Sequence, residues 1–114
     1  MKYGLSDSTI QKICAVFAKY PPVEQVILYG SRAKGNYKNG SDIDFTLCGR
    51  TDLTQRVLYR IIDELDDLLL PYTIDLSIFN DIDDADVVEH IRRVGVTFYE
   101  KSAVVAESAS SSRR

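Results

Sequence analysis

Apolar residues recur along this chain in two periods, and the switches between them mark its elements. Leu5, Ile10, Ile13, Cys14 and Phe17 fall on one side of a helical wheel, predicting a first helix over about 6–20. Ser8 followed by Gln11 fits a capping box, and Pro21-Pro22 ends the helix. Val23 to Tyr29 is rich in β-branched and large apolar side chains and reads as a buried strand running into Gly30. From 42 to 48 the period becomes two. Ile43, Phe45 and Leu47 point one way; Asp42, Asp44, Thr46 and Cys48 point the other. The three/four spacing returns in Leu53, Val57, Leu58, Ile61, Ile62, Leu65, Leu68 and Leu69, predicting a helix over about 52–70 that Pro71 ends. A third strand over 73–79 alternates again, with Ile74, Leu76 and Ile78 opposite Thr73, Asp75 and Ser77. A further helix over about 84–94 turns Val87, Val88, Ile91 and Val94 inward, carries Arg92 and Arg93 in its last turn, and has Gly95 as its cap. Val96 to Tyr99 fits a short edge strand. The pattern is that of an α+β domain, a small mixed β-sheet with helices packed on one side.

Composition narrows this picture. With 114 residues, 45% of them hydrophobic, the chain has material for one core and not for two. The domain is expected over 1–101, with a disordered Ser/Ala-rich tail over 102–114. A net charge of −3 gives no general attraction to nucleic acid. No apolar run reaches the roughly 18–20 residues of a membrane span, and the start has no apolar export segment. Cys14 and Cys48 form neither a disulfide scaffold nor a metal quartet, so reduced thiols and a cytoplasmic location are expected.

The chemistry concentrates between residues 30 and 44. Gly30 to Gly40 holds three glycines, two asparagines and three cations with no acid, a polar loop with room for one helical turn at its start. Gly30-Ser31 follows a strand directly, where the backbone can approach a phosphate closely and Ser31 adds a hydroxyl. Arg32 and Lys34 offer charge, and Ser41 precedes the first carboxylate. The spacing is not that of a phosphate-binding P-loop. Asp42 and Asp44 leave one face of their strand within about 7 Å of each other, and Asp75 occupies the same polar face of another strand. Three neighbouring carboxylates repel unless a cation lies among them, and Mg²⁺ with nucleotide phosphates is a usual solution. Elsewhere the signals are bland. His90 reads as a surface or packing residue, Cys48 as an unreactive thiol, and Asp81, Asp83, Asp84 and Asp86 as charge at a helix N-terminus.

Gly30-Ser31, ten intervening residues, then Asp42-Ile43-Asp44 resembles the signature of the DNA polymerase beta-type nucleotidyltransferase superfamily. The run from Tyr29 to Phe45 is especially similar to its minimal nucleotidyltransferase (MNT) branch, and Asp75 matches the third carboxylate of that family. The resemblance implies a polymerase beta-like fold and transfer of AMP from ATP to a hydroxyl. Asp42, Asp44 and Asp75 would be catalytic and hold two Mg²⁺ ions. Gly30 and Ser31 would bind the nucleotide phosphates, with Arg32 and Ser41 as neighbours. It also implies a partner, a helical HEPN-domain toxin whose tyrosine receives AMP from its MNT antitoxin. Two alternatives stand beside this: a non-catalytic antitoxin that neutralises its partner by binding, and one subunit of a two-component enzyme acting on a small aminoglycoside-like molecule.

Overall fold

The computed structural model describes residues 1–101, and the tail expected over 102–114 lies outside the described residues. The elements run α1 (Asp7–Ala18), β1 (Val23–Tyr29), α2 (Ser31–Lys34), β2 (Ile43–Gly49), α3 (Gln55–Asp67), β3 (Ile74–Ile78), a 3₁₀ turn (Phe79–Asp81), α4 (Ala85–Val94) and β4 (Val96–Glu100). One mixed sheet orders its strands β3-β2-β1-β4. β1 is antiparallel to both β2 and β4, while β2 and β3 are parallel. That parallel pair requires a crossover, and α3 supplies it.

The alternation read from the sequence sorts the two faces. Leu28 lies opposite Phe45, and both are fully buried with Val26, Ile43 and Leu47 on the face covered by α1 and α3. Phe17 of α1 meets Phe45 edge-to-face with ring centroids 5.5 Å apart, and Phe98 of β4 approaches the same ring at 4.7 Å. Leu58, Ile61 and Leu65 of α3 complete this core. The third long helix differs. His90 of α4 meets Tyr29, and a Cβ placed on Gly95 would strike Ile27 Cγ2, so α4 lies on the other face of β1.

Several local expectations change. Ser6, not Ser8, caps α1, its hydroxyl accepting from the Thr9 N–H at 3.1 Å. α3 is shorter than expected because Thr54 caps it at Gln55 and it ends at Asp67. Leu69 therefore leaves the core stripe: it is 87% exposed, with a left-handed φ of +55°. On α4 only Ile91 is fully buried, while Val87, Val88 and Val94 are half-buried. Gly95 ends α4 with φ −66°, so it is no left-handed cap. Its value is space, since a Cβ there would also strike the Ile91 carbonyl.

Candidate active site

The second sheet face gathers polar groups where β1 ends and β2 and β3 begin. Tyr29 is paired with Asp44, and Asp44 stands in register with Asp75 on the neighbouring parallel strand. Parallel neighbours are about 4.8 Å apart, so these two carboxylates leave the face side by side. Asp42 precedes β2 on the same side and is exposed, as is Asp75; Asp44 is half-buried. None of the three accepts a hydrogen bond or forms an ion pair among the described residues.

Gly30 brings the loop against this cluster. Its φ of +75° and ψ of −156° lie in a region open essentially to glycine alone, and a Cβ there would overlap Asp44 Oδ2. The chain then turns at once into α2. Gly30 accepts from the Lys34 N–H at 3.1 Å, and Ser31 from the Gly35 N–H at 2.9 Å. The first N–H groups of such a turn have no acceptor within it, which leaves them available beside Asp44.

The electrostatics follow from this crowding. Burial, then the charges of Asp75 and Asp42, push the Asp44 carboxyl above its ordinary value, while His90 pulls it back. Burial and the charges of Asp75 and Asp44 likewise raise the Tyr29 phenol, with Ser77 acting the other way. His90 thus packs edge-to-face on Tyr29, centroids 6.2 Å apart, at the margin of the carboxylate face. Sequence reasoning missed Tyr29 in this place. Its signal was parity, because Ile27 and Tyr29 share the face opposite Val26 and Leu28.

Arg32 and Ser41 occupy unexpected positions. Arg32 is only 2% exposed. Its Nε and Nη2 donate to the Ser41 carbonyl at 3.1 and 2.9 Å, and its Nη1 donates to the Tyr3 carbonyl at 2.8 Å. Ser41 Oγ accepts from the Lys38 N–H at 2.8 Å, closing the turn before Asp42. Cys48 is free, and burial, then the charge of Glu24, raises its thiol. Asp84 caps α4 through the Asp86 N–H at 2.9 Å, and Asp81 accepts from Gln55 Nε2.

Among the described residues no three His, Cys, Asp or Glu side chains are gathered closely enough to hold a metal ion as they stand. The donor set nevertheless fits a hard divalent cation: all oxygen, three like charges on one face, two of them exposed and able to swing. No helix among the described residues is long and apolar enough to cross a membrane.

Comparison with known proteins adds the wider context. The family model described as "Polymerase beta, Nucleotidyltransferase" matches residues 11–103. No curated protein matches the chain in sequence. Among solved structures, a chain of a toxin–antitoxin complex with AMP-PNP superposes with a TM-score of 0.65 at 16% identity, over 96% of this chain and 93% of that one. A chain from a tri-AMPylated Shewanella oneidensis HEPN toxin in complex with MNT antitoxin gives 0.62 at 15% identity, over 94% and 82%. A nucleotidyltransferase-like protein from Sulfolobus solfataricus gives 0.51 at 19%, over 88% and 94%. At such identities the likeness is one of fold.

Proposed function

From the premise that the chain belongs to the polymerase beta nucleotidyltransferase family, we propose that it transfers AMP from ATP to a hydroxyl, that of a tyrosine on a helical HEPN-domain partner. The observation that carries this reading is the placement of Asp44 beside Asp75 and directly over Gly30, with Ser31 next in the chain.

In this reading Asp42, Asp44 and Asp75 would hold the Mg²⁺ ions that accompany the triphosphate. When bound, such ions would supply charge neutralisation at the reacting phosphorus. The N–H groups at Ser31 and its hydroxyl hold the β- and γ-phosphates, which Gly30 allows to approach closely. Asp75, exposed at the edge strand, takes the proton of the attacking hydroxyl. The acceptor oxygen bonds to the α-phosphorus, the bond from that phosphorus to the bridging oxygen breaks, and pyrophosphate leaves. The partner is drawn from the fold likeness to a chain found with an AMPylated HEPN toxin.

The test is incubation with radiolabelled ATP, Mg²⁺ and the candidate partner. Wild type should label the partner, and Asp42→Asn/Asp44→Asn should lower transfer by about 10³-fold or more, the scale at which electrostatic stabilisation is lost. Equal labelling by both, or none by wild type, rejects the reading. A second reading, neutralisation by binding alone, draws on the unconverged carboxylates. It is favoured if the double variant still blocks the partner's activity in full.

A further inference from the structure

Arg32 lies next to Ser31 in the chain, yet its guanidinium is turned into the protein, where three separate segments converge on it. The first is the N-terminal turn. Lys2 and Leu5 exchange backbone hydrogen bonds of 3.1 and 2.8 Å, and Tyr3 and Gly4 between them both have positive φ, 58° and 75°. Tyr3 is a non-glycine residue in the left-handed region, a conformation kept only where its surroundings fix it. Its carbonyl is the one that accepts from Arg32 Nη1. A Cβ on Gly4 would press on Arg32 Nη1 and on the Tyr37 ring, so this turn is shaped around the guanidinium.

The second segment is the approach to Asp42. The Ser41 carbonyl receives both Nε and Nη2, and the Tyr37 ring lies 5.3 Å from the guanidinium carbon. The third is the approach to β3, where the Tyr72 ring lies 4.9 Å from the same carbon. Arg32 has no carboxylate partner among the described residues. A buried cation held only by carbonyls and ring faces is costly unless its geometry is well met. It therefore reports a specific arrangement, not a chance surface contact.

We infer that Arg32 is a positioning residue: it clamps the segments bearing Ser31, Asp42 and Asp75 into one register, and it does not hold the nucleotide. Ser31 precedes it, Asp42 follows the carbonyl it grips, and Asp75 lies three residues past the ring it stacks on. The kinetic consequence rests on the nucleotidyltransferase reading; the clamp itself does not. Lysine cannot substitute, because it lacks the planar fork that serves Ser41 and Tyr3 together.

The experiment compares the full chain with Arg32→Lys, Arg32→Met and Tyr72→Leu, the last removing one ring while leaving every hydrogen bond. Amide hydrogen exchange should quicken about tenfold or more over residues 36–42 in both Arg32 variants, and less in Tyr72→Leu, with β1 unchanged. In AMP transfer to the partner protein, kcat should fall about 10- to 100-fold in both Arg32 variants, with KM for ATP within about threefold. Tyr72→Leu should fall between them and wild type. The inference is overturned if Arg32→Lys behaves as wild type, or if KM rises tenfold while kcat and exchange stay put, the pattern of a direct phosphate contact. Should the Arg32 variants not fold, Tyr72→Leu decides: faster exchange over 36–42 supports the clamp, and unchanged exchange rejects it. If wild type transfers nothing, the enzymatic reading fails, while the exchange result still judges the clamp.

Discussion

Asp44 is crowded from three directions: Gly30 leaves it room only by lacking a side chain, Asp75 stands level with it on the next strand, and Asp42 precedes it on the same side. Its carboxyl consequently binds a proton more tightly folded than unfolded, chiefly through burial. The native state then holds more protons than the unfolded chain between the ordinary value of 3.8 and the raised one, so this group's contribution to stability falls as pH rises through that window. Replacing the charge should remove the penalty. Without divalent ions, Asp44→Asn is expected to melt at a higher temperature than wild type at pH 7, by a small margin because water screens a half-exposed group. The difference should vanish below pH 3.8. Adding Mg²⁺ should raise the melting temperature of wild type and leave the variant where it was. Thermal melts of both proteins across pH, with and without Mg²⁺, check this. A variant less stable than wild type at pH 7 would contradict the assigned crowding.

At the scale of elements, the sequence made the faces legible and the helix ends less so. Period-two alternation placed Asp44 opposite Phe45 correctly, because a strand has no freedom to send neighbouring residues to one side; the apolar run from Val26 to Tyr29 in β1 hid the same parity, and Tyr29 with it. The same rule brought Asp75 level with Asp44 once β2 and β3 paired. Caps and helix ends depend on a choice among several competent residues. Ser6 and Ser8 both fit the start of α1, and the leucine run past Leu65 continues the helical period beyond the point where the helix stops. The burial of Arg32 was not legible at all, because Tyr3, Ser41 and Tyr72 are distant in sequence and meet only in the fold. Leu69 gives the clearest test of an element boundary. It follows the α3 C-cap Leu68 with φ +55° and 87% exposure, so it pays backbone strain and gains no burial. Left-handed conformation costs a non-glycine residue about 1–2 kcal/mol, and glycine returns about 0.4–1 kcal/mol of that through its freer unfolded chain. Leu69→Gly should therefore stabilise the protein by about 0.5–1 kcal/mol in urea unfolding. Destabilisation would mean that α3 does not end as described.

For the molecule as a whole, the relevant contrast is between where it is concave and where its carboxylates lie. A cleft of about 480 Å³ is lined by Arg32, Tyr37, Gly40 and Tyr72, and by neither Ser31, Asp44 nor Asp75. The carboxylates sit instead on an open sheet face, with α4 against β1 at one margin and Asp42 and Asp75 exposed. An open acidic face in a chain of net charge −3 repels a triphosphate until cations neutralise it, and it supplies no walls that would seat a free acceptor. Two consequences belong together. ATP binding should depend on Mg²⁺, with affinity falling about tenfold or more in EDTA, as calorimetry would measure. Transfer is expected to need a second protein, since Asp75 stands exposed on an open edge strand. Incubated alone with ATP and Mg²⁺, the chain is expected to keep its unmodified mass, and to release pyrophosphate only when the acceptor protein is added. Mass spectrometry showing AMP on the chain itself at levels comparable to the partner, on the exposed Tyr37 for example, would instead place the acceptor in cis.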